Sequence, residues 1–302
     1  MMLRVFRLKA GRMTDLVSYF IPSYNHEEFI EDCIRSIIKQ NYPRIELLII
    51  DDGSADCSVE IVNRLATECE TRFERFLFLT QENRGLVKNL NFALKWANGE
   101  YFAPIASDDA IFSEKTTILL DYFDSENVAG VTGGYIEIDR YGNKLRTIVP
   151  SNGVWGFDDV LVRRARLFAP TAIFRTSALR TVGGYWEDIQ IEDRAMWLKL
   201  THAGYTVSTT QHIVAYYRQH SENLSKSTVK MIEARLAIYD KFQQNALLSR
   251  VRSIDLYGAA RELAEVDPKM SINYLKMGIK HSISSIFSKS FFRAIKKILL
   301  RK

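Results

Sequence analysis

This 302-residue chain is predicted to adopt an α/β fold, a mostly parallel, Rossmann-like sheet flanked by helices, with a helical C-terminal extension. Three observations predict it. Short apolar runs alternate with helix-length stretches from Val17 to Ile105, the rhythm of β-α-β units. Polar clusters follow three of those runs, where an open parallel sheet presents its ligand residues. Beyond Ser225 the remaining chain reads as helical.

The first strand is expected over Val17–Pro22, leaving Met1–Arg12 ahead of it. A helix follows from Glu27 to Gln40, then an apolar strand Glu46–Asp51, a helix near Ser58–Thr71 and a strand Phe76–Thr80. Leu86–Asn98 reads as a helix closed by Gly99, and Tyr101–Ile105 as the next strand. Strands this uniformly apolar are covered on both faces. The order then loosens into a helix near Ser113–Asp124, a strand near Val128, a hairpin around Arg140-Tyr-Gly-Asn and a loop-rich region to Gly184. That part reads as surface for a second ligand rather than a second nucleotide fold. A helix from about Glu192 to Ala203, capped by Gly204, precedes a strand pair within Tyr205–Tyr217.

Composition narrows the function classes. A 47% hydrophobic content supplies one large core or two fused layers and disfavours disorder. Cys33, Cys57 and Cys69 are odd in number and form no close pair, which argues for a reducing compartment and against a thiolate metal site. No run approaches the ~20 apolar residues of a bilayer span, and MMLRVFRLKAGRM lacks the apolar stretch of a secretory signal. A cytoplasmic chain, soluble or peripheral on the inner membrane face, is the expectation. Net charge is +5, but the eight Lys/Arg of Ser271–Lys302 and the four of Met1–Met13 have no acidic neighbours in those segments; without these twelve the body is −7. An acidic body disfavours nucleic acid as a partner, while its basic ends suit an anionic membrane surface and its interior a metal ion.

The polar clusters are Pro22-Ser-Tyr-Asn, Asp51-Asp-Gly-Ser and Ser107-Asp-Asp. Each alone is ordinary turn chemistry. Three in order at strand ends point to one site.

In the order FIPSYNHEEFIEDCIRSIIKQ, ELLIIDDGSADCS, QENRGLVKNLNFAL, NGEYFAPIASDD, IEDRAMWLKL and YRQHSENLS, the chain resembles the family-two inverting glycosyltransferases of the GT-A fold, of the bacterial surface-polysaccharide type. The resemblance covers about Leu16–Ser225. It implies a nucleotide-sugar-binding half over 14–109 and an acceptor-binding and catalytic half over 110–225; the helical region over 226–302, with its basic amphipathic tail, lies outside the resemblance. By the same resemblance Pro22 and Tyr24 line the base, and Asp52 accepts from the base imide, favouring uracil. Glu27 and Arg84 lie near the nucleotide, the alternative for each being a surface ion pair.

The triplet Ser107-Asp108-Asp109 stands where the family has Asp-x-Asp, whose carboxylates suit Mg²⁺ or Mn²⁺ on the donor diphosphate. With Ser107 in the first position, the resemblance puts Asp109 on the metal and Asp108 on sugar or ribose hydroxyls. His220 is implied as a second metal ligand, the alternative being a packed histidine. The family's general base falls on Asp193, with Glu192 supporting it; helix-start stabilisation is the alternative for both. Tyr185 or Trp186 is a candidate for a sugar face, unless simply core.

The implied reaction moves a hexose or N-acetylhexosamine from a UDP-sugar to a saccharide acceptor, lipid-linked, in O-antigen or capsule assembly. A sugar-phosphate nucleotidyltransferase would need a glycine-rich basic loop after the first strand, where Pro22-Ser-Tyr-Asn-His-Glu-Glu is acidic and glycine-free. A non-catalytic nucleotide-sugar-binding protein would leave Asp109 and Asp193 dispensable. Finally, a helical wheel over Phe287–Leu299 sets Phe287, Phe291, Phe292, Ala294, Ile295, Ile298 and Leu299 opposite Lys289, Arg293, Lys296 and Lys297, an interfacial helix or one packed on the body.

Overall fold

β1 (Val17–Ser23) and β2 (Ile45–Asp51) are apolar runs without polar alternation, and burial along almost their whole length explains why. They pair in parallel with each other, with β3 (Arg75–Thr80) and with β4 (Tyr101–Pro104). The chain is described by a computed structural model over residues 14–189, 191–220, 228–243 and 246–300. Met1–Met13, Ser221–Ser225, Arg301 and Lys302, all of which figure in the sequence expectations, lie outside the described residues.

Helices α1 (Ile30–Ile38), α2 (Ser58–Arg72) and α3 (Leu86–Trp96) connect the first four strands. α1 has only nine residues, marginal alone, but it buries Ile30, Ile34 and Ile37, each contributing ~1.5–3 kcal/mol. It starts three residues later than expected because Glu27 is engaged elsewhere, as described below. Glu46 is buried within β2 and satisfied by Ser18 Oγ at 2.5 Å, Asn98 N–H at 2.6 Å and Arg75 at 2.9 Å. A buried carboxylate so held locks the α3–β4 turn to the sheet.

The sheet continues through the region that reads as loops. β5 (Ala110–Ile111), β6 (Val128–Asp139), β7 (Lys144–Ile148), β8 (Gly153–Trp155), β9 (Ile173–Arg175) and β10 (Thr206–Gln219) join it in the order β3-β2-β1-β4-β9-β6-β10-β5, with β7 on β6 and β8 on β10. One sheet therefore spans both halves expected from the resemblance. β9 runs antiparallel between β4 and β6, and β6 and β10 are parallel. The β6–β7 hairpin turns at Gly142, φ +87°, with Asp139 accepting from the N–H groups of Tyr141 and Asn143.

The strand pair expected within Tyr205–Tyr217 is instead one long strand. Thr209-Thr-Gln-His offers no turn residue, so the chain shifts register between Thr209 and Ile213 and continues along β6. Short helices α4 (Lys115–Leu120), α5 (Phe157–Leu161) and α6 (Thr176–Thr181) accompany these strands, and α7 (Glu192–His202) runs into β10. Gly130 of β6 makes α7's seat: a Cβ there would lie 2.4 Å from the Trp197 ring.

Contacts divide the chain into two compact units, Met1–Glu187 with Glu192–Ser221, and Asp188–Ile191 with Glu222–Lys302. The second holds α8 (Thr228–Asp240), α9 (Ala246–Leu263), α10 (Pro268–His281) and α11 (Lys289–Leu299). Its core gathers on α9 around Leu256, Tyr257 and Ala260, with Gly278 admitting the Tyr257 ring. The expected amphipathic helix is α11, but its apolar arc is shared. Phe291, Ala294 and Ile298 pack against α9's core, while Phe292 and Leu299 stay exposed. Lys297, expected on the polar arc, pairs with Glu265.

Candidate active site

The carboxyl ends of β1 and β2 carry two loops that are bonded to one another. Asn25, held at φ +53°, donates its N–H to Ser54 Oγ and accepts from Ala55 N–H, both at 2.8 Å. Glu27 N–H meets Asp56 at 2.9 Å, and the Glu27 carboxylate in turn accepts from Cys57 N–H at 2.8 Å, ahead of α2. This reciprocal tie keeps Glu27 out of α1. Tyr24 is left half-exposed at the loop's surface, an open ring of the kind that stacks on a base.

Asp51 accepts from Ser54 N–H and from the hydroxyls of Ser54 and Ser23, closing the Asp-Gly-Ser turn. Asp52 holds the loop before α3: one oxygen accepts from Gln81 and Arg84 N–H, the other from Gly85 N–H, all at 2.8–2.9 Å. Burial alone raises its pKa, but hydrogen bonds from Arg84, Gln81, Asn89 and Gly85 prevail and keep the carboxyl below its usual range. Gly85 sits at φ +89°, a backbone conformation that suits glycine. Asp52 thus sets the position of Arg84, whose exposed guanidinium pairs with no described carboxylate.

Beyond β4, consecutive residues of a turn take different partners. Asp108 reaches His220 Nε2 at 2.9 Å, and Ser107 Oγ meets His26 Nδ1 at 2.7 Å. The resemblance paired His220 with Asp109; in the structure the carboxylate touching His220 is that of Asp108. Asp109 lines a pocket and accepts from Arg218 N–H at 2.9 Å. Burial, then the charge of Asp108, pushes its pKa well up, against the opposing charges of Arg218 and Lys115. Lys115 is fully buried nearby and drops to about 7, through burial.

Pro22, Asp109, Glu192 and Asp193 line one pocket of about 160 Å³, with Leu90, Tyr185, Trp197 and Tyr217. Glu192 and Asp193 begin α7, where the helix dipole favours negative charge. Even so, burial and the neighbouring Asp193 charge raise Glu192 to about 8. Asp193 is also raised by burial, against its bond from Arg194 N–H at 2.6 Å.

A model of the glycosyl transferase family 2 matches residues 18–178, more than half the chain and every nucleotide-side loop just described. The chain belongs to that family. An uncharacterized glycosyltransferase of Haemophilus influenzae is 33% identical over 139 residues, 46% of this chain and 54% of the relative, so the chain spans about half that relative's length. A putative teichuronic acid biosynthesis glycosyltransferase of Bacillus subtilis, TuaG, is 27% identical over 230 residues, covering 76% of this chain and 89% of its own. Among solved structures, Staphylococcus aureus TarS 1–349 with UDP-GlcNAc superposes with a TM-score of 0.68 at 18% identity, covering 94% of this chain and 89% of that one. At that identity the likeness concerns the GT-A fold.

Several site residues carry no signal in the sequence. His26 and Arg218 stand inside the SYNHEE and YRQH stretches that carry the resemblance, but nothing in the letters marks them. Arg218 donates to the backbone carbonyls of Asp108 at 2.9 Å and Arg140 at 3.2 Å and stacks 4.9 Å over Phe29, so it fixes the loop bearing both aspartates. Asn91 clamps the Tyr185 backbone with two bonds at 2.8 and 3.0 Å. Of the two aromatic candidates, Tyr185 lines the pocket, whereas Trp186 lies under Lys199 Nζ at 4.9 Å.

Proposed function

We propose that the protein transfers a hexose or N-acetylhexosamine, with inversion, from a UDP-sugar to a saccharide acceptor, lipid-linked, in bacterial surface-polysaccharide assembly. The observation that carries the chemistry is that Asp109 and the Glu192–Asp193 pair share one pocket beside the Pro22–Tyr24 and Asp52–Arg84 loops. Tyr24 offers the base a ring, and Asp52, anchored beside the loop before α3, is proposed as the acceptor for the base imide. Arg84 supplies positive charge toward the phosphates. UDP as donor nucleotide and a surface polymer as product are supported by what TarS binds and by what TuaG is named for.

The donor set at the Ser107–Asp109 loop fits a divalent ion: three ligand atoms from His26, Asp108 and His220 lie within 4.8 Å of one another. Asp108, Asp109 and His220 would hold it. Bound there, the ion would neutralise charge on the departing diphosphate. In the proposed step the acceptor O–H gives its proton to the Asp193 carboxylate as oxygen bonds to the anomeric carbon and the carbon–phosphate-oxygen bond breaks, releasing UDP. Glu192, protonated beside it at neutral pH, keeps the pair at a single negative charge.

No described helix is long and apolar enough to cross a membrane. The exposed edge of α11, with Lys289, Arg293 and Lys296, is proposed to rest on an anionic leaflet. The deciding experiment is a panel of nucleotide sugars assayed for hydrolysis with Mn²⁺, which needs no acceptor. Turnover is expected with UDP-sugars; hydrolysis of purine nucleotide sugars alone would reject the donor assignment.

A further inference from the structure

Resting on the reading that a divalent ion binds beside the Asp108–Asp109 pair, we infer that His26 is a ligand of that ion, so that two imidazoles, not oxygens alone, select the metal. His26 comes from the β1–α1 loop, a segment the Asp-x-Asp resemblance does not include among metal ligands. Its ring nitrogen, a carboxylate oxygen of Asp108 and a ring nitrogen of His220 converge within 4.8 Å.

The two imidazoles are built into place. The rings of His26 and His220 meet edge-on, 5.7 Å apart at 88°. Phe29 packs against both, at 6.0 Å from His26 and 5.2 Å from His220, and is itself covered by the Arg218 guanidinium. The His26 backbone is fixed as well: its N–H donates to Ser58 Oγ at 3.1 Å, and its carbonyl accepts from the N–H groups of Phe29 and Ile30 at 2.9 Å. Ser107, standing where the family has its first aspartate, accepts or donates at His26 Nδ1 instead of offering a carboxylate. A histidine from another loop thus occupies the neighbourhood of the missing acid.

Ligand chemistry then gives a consequence that Asp109 and Asp108 alone would not. Mg²⁺ takes oxygen ligands and parts reluctantly with water, whereas Mn²⁺ and Co²⁺ accept imidazole nitrogen. The site is expected to prefer Mn²⁺ or Co²⁺ to Mg²⁺, and His26→Gln to narrow that preference.

The test uses the full chain with UDP and Mn²⁺. Free Mn²⁺ is titrated by electron paramagnetic resonance, and bound Mn²⁺ is examined by pulsed methods for nitrogen couplings. Wild type is expected to show two imidazole couplings. His26→Gln, which keeps a hydrogen-bonding group for Ser107, is expected to show one, with Mn²⁺ bound more weakly by at least the ~10-fold that outer-shell partners already contribute. His26→Asn repeats the measurement with a shorter side chain, and thermal unfolding without metal confirms that each variant folds. Two couplings and unchanged affinity in both variants would overturn the assignment of His26 and leave the metal reading standing. A wild type that binds no Mn²⁺ even with UDP would overturn both.

Discussion

The carboxylates of the nucleotide-side loops and those at the start of α7 are the same functional groups in opposite circumstances. Asp52, Asp56 and Glu27 accept backbone N–H groups of neighbouring loops, and Asp51 one within its own turn. At Asp52 and Asp56 burial raises the pKa, yet the hydrogen bonds outweigh it and hold both below the usual range. Glu192 and Asp193 face a largely apolar pocket with few donors, and burial raises both. Asp52 and Asp56, bonded to the fold, shape a binding surface and stay ionised; carboxylates left with few donors keep a higher proton affinity, the property a working base needs.

The widest separation between the two groups should come from Asp193→Asn. Removing the base while preserving shape is expected to leave UDP affinity unchanged and to slow transfer by at least ~10²-fold. Near-normal turnover would move the base to Glu192. The same comparison at the other aspartate pair is Asp109→Ala, expected to abolish the stimulation of UDP binding by Mn²⁺ in calorimetry while metal-free UDP binding persists.

A smaller effect, of a different kind, is expected from Asp52→Ala. It strands the N–H groups of Arg84 and Gly85, each costing ~1–3 kcal/mol where buried. Both melting temperature and UDP affinity should drop, with rate at saturating donor much less changed. A pure rate defect would show that Asp52 belongs with the α7 pair after all.

Glu192 sharpens the contrast through pH. Its pKa is about 8 when folded against an ordinary 4.5, so between those values the native state binds more protons than the unfolded chain. Stability therefore declines as pH rises across that window. Glu192→Gln should remove the decline: a higher melting temperature than wild type at pH 8, at roughly 2–4 °C per kcal/mol relieved, and little difference at pH 5. A variant equally shifted at both values would indicate packing rather than charge.

How much of this was legible in the letters follows the same division. The parallel block was legible because continuous apolar runs must be buried on both faces, and the gathering of Asp109, Glu192 and Asp193 in one pocket was legible through an ordered set of motifs at strand and helix ends. The strand β9 and the unbroken β10 were not, since three-residue pairings and a bulge are decided by partners distant in the chain. Nor were the tasks of Asp52 and Glu27, which depend on which backbone N–H groups the fold brings to them. Arg218 bonds across 110 positions to Asp108, a relation no local pattern encodes.

The smallest expected effect lies in α11, where the division between groups engaged by the fold and groups left over runs along a single helix. Phe291, Ala294 and Ile298 hold α11 to α9, so cutting the helix away would disturb the helical unit and blur the result. Phe292 and Leu299 are 60% and 76% exposed, seven positions apart on one face, with Phe287 at 79% just before the helix. Replacing Phe292 and Leu299 by Ser removes apolar area without touching the α9 contact. Each basic residue near an anionic surface contributes ~1 kcal/mol and each apolar side chain up to ~1.5–3 kcal/mol if fully inserted. The double variant should therefore sediment less with vesicles containing anionic lipid, by a few-fold to tens-fold, while melting as wild type does. Raising salt should release wild type further, because the lysine contribution is screened. Equal sedimentation of variant and wild type, or attachment indifferent to salt, would remove the membrane from this helix and leave its exposed edge as surface alone.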